Sequence, residues 1–207
     1  GLAIGPSFGE KKGKDYLHVC YGVYADSDRE DNDYQVILQY ETEGLWEMGK
    51  IHSQSNMHRV GPDPVNQFFL YTGNTTYGIQ NFEYDAYTGD YIVTVYRGHK
   101  PQFPNFGMFV IDGSVSQKEE ELQGCNGECG KVFTLKKIGE EVNGISGITQ
   151  FVNGNVEFGT MGVYSLGNGD FYVVDPVWDN PEDLSVYLVL YRLKVDENGK
   201  WSFIEKK

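Results

Sequence analysis

One phrase recurs three times along this chain, and a unit repeated at that scale points to a modular architecture. Gly1-Leu2-Ala3-Ile4 is followed by a polar turn and Lys14-Asp15-Tyr16-Leu17-His18-Val19. Gly78-Ile79-Gln80-Asn81-Phe82 is followed by Thr88-Gly89-Asp90-Tyr91-Ile92-Val93. Gly162-Val163-Tyr164-Ser165-Leu166 is followed by Asn168-Gly169-Asp170-Phe171-Tyr172-Val173. Each copy reads as a short strand, a Gly/Asp turn and a strand rich in aromatic and β-branched residues.

Two further strands are expected in each unit. They are Tyr34–Tyr40 and Leu45–Ile51 in the first, Gly107–Asp112 and Lys131–Ile138 in the second, and Val186–Val195 and Lys200–Glu205 in the third. The turn Asp196-Glu197-Asn198-Gly199 supplies Asn-Gly, a strong hairpin signal. The third strand is the most apolar and the fourth more polar, as an outer edge requires. Helix character is confined to Gln117–Gln123, about two turns, with a solvated acidic loop as the alternative.

Four-stranded antiparallel units repeated radially are the blades of a β-propeller. The Gly-led inner strands and the turn-plus-aromatic second strands, Tyr87–Val93 and Gly167–Val173, resemble those of six-bladed propellers. The likeness is to the NHL and gluconolactonase/senescence-marker type and to their secreted bacterial relatives. It implies an all-β fold, an extracytoplasmic or secreted setting, and a functional surface at the mouth of a central channel. A gluconolactonase-type site needs metal-ligating Glu, Asn and Asp from inner strands; Asn81 fits, with no Glu evident on a neighbouring inner strand.

The blades span about residues 1–52, 77–138 and 161–206. Three blades do not close a ring, so the expectation is half of a six-bladed propeller, completed by a homodimer partner or by a complementary N-terminal half. A lone wedge of three exposes apolar faces. The alternative is a complete ring of five short blades, with Gln67–Tyr71 and Gly147–Val152 promoted to blade strands.

The chain carries 17 Lys and Arg against 30 Asp and Glu, a net charge of −13. That balance disfavours nucleic acid, whose phosphates need a basic surface. No apolar run approaches the roughly 20 residues of a membrane span. Cys125 and Cys129 flank Asn-Gly-Glu and are candidates for a disulfide across a Gly-rich loop, or for two free thiols. Cys20 reads as a packed residue in an apolar strand.

The loop before the second unit holds His52, His58, Arg59 and Asp63. His58 and Arg59 are the leading ligand candidates there, as readers of a carboxylate or other anion, since Arg offers a planar fork. A structured polar loop is the plainer reading. Gln80 and Asn81 lie in the second inner strand and either reach a ligand or satisfy each other's surroundings. Tyr77 and Tyr164 offer stacking surfaces for a sugar, or ordinary packing. Asp26, Asp28 and Glu30 alternate oxygen ligands in a loop compatible with a divalent cation such as calcium, or with a solvated turn. His18 reads as a core histidine. The reading favoured is a binding module for a small polar ligand, a carbohydrate being the leading class. The alternative is a hydrolase or lyase acting on sugars or lactones with a divalent cation.

Overall fold

The computed structural model describes residues 1–10, 13–23, 26–49, 55, 61–152, 154, 156–180 and 183–207. Among them the chain is all strand and turn. Among the described residues no helix is long and apolar enough to cross a membrane.

Strands β1 (Leu2–Pro6), β2 (Asp15–Gly22), β3 (Tyr34–Glu41) and β4 (Asn66–Tyr71) form an antiparallel meander. A second sheet contains β5 (Thr75–Asp85), β6 (Asp90–Arg97) and β7 (Met108–Ile111). The chain then returns to the first sheet as the hairpin β8 (Lys118–Glu121) and β9 (Cys129–Val132), with β9 running parallel to β4. Two small hairpins follow: β10 (Glu140–Val142) with β11 (Ile145–Gly147), and β12 (Phe151–Val152) with β13 (Val156–Glu157). The third sheet is β14 (Val163–Ser165), β15 (Asp170–Asn180), β16 (Asp183–Val195) and β17 (Trp201–Glu205), again an antiparallel meander.

The three sheets stack face on face with the second in the middle. Ala3, Ile37, Phe68 and Leu70 of the first pack against Phe82, Tyr91, Val93 and Phe109 of the second. Ile92, Met108 and Val110 on the other side of the second sheet pack against Phe171, Val173, Tyr191 and Phe203 of the third. Strand β6 is therefore covered on both faces, which is why it reads Tyr-Ile-Val-Thr-Val with no polar alternation.

The close approach of the first two sheets depends on glycine. Gly78 has φ +75°, and a Cβ there would stand 2.4 Å from the backbone N of Gly22. The ladder between β5 and β6 slips at the same place. Ile79 pairs with Val95 and Asn81 with Thr94, so Gln80 is the extra residue of a bulge. The bulge lets Ile79 and Phe82, three apart, enter the same core.

Several elements differ from the sequence expectation. The fourth strand of the first sheet is β4, not Leu45–Ile51. Residues 43–48 form turns closed by Leu45 N to Thr42 O and Gly49 N to Trp46 O, and Trp46 is solvent-exposed. Leu45 and Trp46 are adjacent, so a strand would send them to opposite faces, whereas Phe68 and Leu70 alternate onto the core. Lys50 and Ile51 lie outside the described residues. The Lys131–Ile138 segment is divided. Its start belongs to β9, and Leu135 then bridges to Ile111 of β7. Gln117–Gln123 holds the exposed edge strand β8, not a helix. The third unit follows the expected order, its last turn closed by Gly199 N to Asp196 O.

The first repeat is also out of register by one. Tyr91 and Phe171 are fully buried and each faces the preceding sheet. Tyr16, their match in sequence, shares a face with His18, which looks toward the following sheet; Leu17 takes the equivalent side.

Candidate functional site

Strand β5 lies beside β1 on one side and β14 on the other. Along it, Asn81, Glu83 and Asp85 alternate onto the side facing the third sheet. Asn81 Nδ2 donates to Thr94 Oγ1 at 3.3 Å, to Gly159 O at 2.5 Å and to Thr160 O at 3.2 Å. Glu83 Oε1 accepts the backbone N–H of Ser165 at 2.7 Å, and Asp85 Oδ1 accepts Ser165 Oγ at 2.6 Å. Asp85 also caps the β5–β6 turn, accepting from the Thr88 N–H and hydroxyl. Burial pushes the Glu83 carboxyl above the usual carboxylate range. The Ser165 N–H opposes that shift, and the charge of Asp85 adds to it. Asn81 and Glu83 thus stand two residues apart on β5, so the Glu that accompanies Asn81 lies on the same strand and not on a neighbouring one. Glu83 ties the second sheet to β14 of the third, and Asn81 ties it to the turn at Gly159 and Thr160 that precedes β14. Ser165, held by Asp85 and accepting the N–H of Gly167, closes a turn rather than presenting a nucleophile.

The other ligand candidates are not gathered at this seam. Gln80 is half-buried at the bulge. Tyr77 is exposed and meets Tyr96 edge-on at 5.4 Å. Tyr164 is 62% exposed on the far face of the third sheet, opposite Tyr172. In the ladder it corresponds to Glu83, not to Tyr77. His52, His58 and Arg59 lie outside the described residues.

The acidic loop after β2 is organised around a cation of the chain itself. Lys100 is buried, and its ammonium donates to Arg29 O, to Asn32 Oδ1 at 2.8 Å and to Asp33 Oδ1 at 2.7 Å. Three donors meet three acceptors. Burial raises the Asp33 carboxyl and the Lys100 charge pulls it back. Asp26, Asp28 and Glu30 stay exposed outside this cage; Asp26 Oδ1 accepts the Asp28 N–H at 2.9 Å. Among the described residues no three His, Cys, Asp or Glu side chains are grouped to hold a metal. The signal for Lys100 was its place: a lysine in the second unit's 99–105 connection, at the position of the acidic loop in the first.

His18 is a buried core residue. Its Nε2 pairs with Gln39 Nε2 at 3.1 Å. Gln39 also donates to Ser7 Oγ and accepts from Asn66, whose Oδ1 accepts from Lys131. With Gln39 donating, His18 Nε2 is the acceptor and the ring is neutral. Burial lowers its pKa to about 4, and the rings of Phe8 and Tyr91 pack around it. Burial likewise drives the Cys20 thiol far up, leaving it inert. Cys125 and Cys129 are free thiols, directed at the Gln123 and Gly127 carbonyls.

No family model, curated protein or solved structure matches the chain.

Proposed function

We propose that this chain is three units of a six-unit β-propeller, that a second copy completes the ring, and that the assembly is a binding module for a small polar ligand of carbohydrate type. The observation that carries the assembly is the outer face of the third sheet. Cross-strand pairing puts Tyr164, Tyr172, Val174, Leu188, Val186, Leu184 and Trp178 on one side. Leu188 is 67% exposed, Trp178 59% and Val186 57%. Several large apolar side chains exposed together on one sheet face are a feature of interaction surfaces.

The opposite end of the stack offers a matching face. Leu2, Ile4 and Tyr21 of the first sheet are exposed, on the side to which Leu17, Val19 and Leu38 also point. Within the chain, each sheet already packs the side following it against the side preceding the next. A copy continuing that order would bury both ends. Binding is favoured over catalysis because, among the described residues, the Glu83 and Asp85 carboxylates are engaged in internal hydrogen bonds.

The test is a charge placed on the face. Leu188→Lys is expected to leave the fold intact, since the side chain is in solvent within one chain, and to convert a dimer to a monomer in sedimentation velocity. A mass unchanged from wild type would refute the assembly.

A further inference from the structure

A cleft of about 380 Å³ opens between the far end of the first sheet and the β10–β11 hairpin. One of its lining residues has unused hydrogen-bonding capacity. Ser146 is only 2% exposed, and its Oγ has no hydrogen-bond partner. A buried hydroxyl left unpaired is costly, and each such group needs an explanation. Ser146 pairs directly with Glu141 across the hairpin, so the two side chains leave the same face. Ile145 leaves the other face and enters the first core cluster. The Glu141 face lines the cleft.

Opposite it stand Tyr34 and Tyr71, their rings 4.9 Å apart, with Glu120 of β8 and Gln123. Glu141 is tied to Lys137 at 2.7 Å, but the Lys137 side chain is 79% exposed. An ion pair so placed is weak and yields to a competing cation. Burial pushes the Tyr34 hydroxyl pKa up; the Gln123 N–H that it accepts opposes the shift, and Cys125, Glu120 and Asp33 add to it. Next door the protein already holds an ammonium by the same means. Lys100 Nζ sits 5.9 Å from the Phe103 ring among three oxygen acceptors, and Phe103 packs edge-on against Tyr71.

We propose that the cleft binds a small ligand through a protonated primary amine. Ser146 Oγ accepts from the ammonium, Glu120 and Glu141 balance its charge, and the tyrosines form the wall, an arrangement suited to an ammonium beside aromatic rings. Amino sugars and simple alkylamines share this chemistry. The inference deepens the reading of the chain as a binding module but does not depend on its assembly, because the cleft shares no residue with the third sheet.

The experiment is an NMR titration of the full chain with glucosamine, propylamine and glucose. Glucosamine is expected to shift the amides of Ser146, Glu141 and Gln123, and glucose to leave them in place. Shifts with propylamine as well identify the amine alone as the determinant; shifts with glucosamine only identify an amino sugar. Ser146→Ala and Glu120→Gln should each weaken glucosamine by about tenfold. Ser146→Ala should do so with unfolding stability unchanged or raised, an outcome a merely structural serine would not give. Leu188→Lys should bind as wild type, which separates this site from the assembly. Equal shifts with glucose, no shift with either amine, or wild-type affinity in both cleft variants would overturn the proposal.

Discussion

Replacing Lys100 by Met tests whether an internal ammonium holds the acidic loop. Lys100 is 1% exposed and joins segments near residues 30 and 100 through three acceptors. Methionine fills much the same volume, so packing is nearly conserved while the charge and three donors vanish. Asp33 is then a buried carboxylate without its cation. Removing one partner of a buried ion pair costs about 3–5 kcal/mol, a large share of the ~5–15 kcal/mol typical of a domain. For a chain of this size the melting temperature should fall by about 6–20 °C. Urea unfolding at fixed slope, followed by tyrosine and tryptophan fluorescence, measures the loss. The double variant Lys100→Met with Asp33→Asn should recover part of it, giving a coupling energy above ~1 kcal/mol. The deficit should also depend on pH. In Lys100→Met, burial acts on Asp33 without the opposing charge, so its folded-state pKa rises further above the unfolded value. The folded variant then binds the proton more readily, and its deficit shrinks as pH falls through that raised pKa. A loss under about 1 kcal/mol would refute the cage, far below the cost of a broken buried pair. So would a deficit that is flat with pH.

Other outcomes follow from the same structure. The folded-state pKa of His18 is about 4 against 6.5 unfolded. Over that window the unfolded chain holds more protons, so His18 contributes stability above pH 6.5 that is lost as pH falls toward 4. The total is about 3 kcal/mol at 1.36 kcal/mol per pKa unit, read as the pH-dependent difference between wild type and His18→Gln. Gly78→Ala should cost more than Gly144→Ala by over ~1 kcal/mol. Both have positive φ and share the ~1–2 kcal/mol left-handed penalty, but only Gly78 abuts another backbone, whereas Gly144 faces open space; paired urea curves decide it. Phe171→Ala should destabilise the fold by about 3–5 kcal/mol by opening a cavity between the second and third sheets, while Leu188→Ala should change unfolding within a single chain by about 0.5 kcal/mol or less.

The all-β class and the strand order of the third sheet were legible because Tyr164, Phe171 and the Asn198-Gly199 turn each signal a strand or a hairpin locally, but the extension of β15 to Asn180 and of β16 back to Asp183 was not. Strand β4 was not. It lies far along the chain from β3, and only its pairing with Tyr34 to Gln39 distinguishes Asn66–Tyr71 from the apolar but turn-forming Leu45 and Trp46. The repeat itself misled at Tyr16, because the longer first turn shifts the ladder by one residue and local similarity cannot count that slip. Asn81 is legible in the sequence as a polar residue in a strand, but its partners Gly159 and Thr160 come from a distant segment with no motif. Lys100 carries only a positional hint, its place in the 99–105 connection, and its burial follows from acceptors on a distant loop. Ser146 carries no sequence signal; only burial without a partner marks it.

The central claim is that two copies close head to tail through the outer faces of the first and third sheets. A head-to-tail contact closes into a ring or grows without end, so sedimentation equilibrium across a hundredfold range of concentration separates the cases. The account predicts one discrete species of two 23.4 kDa chains. A single chain at every concentration, or a ladder of ever larger species, would contradict it.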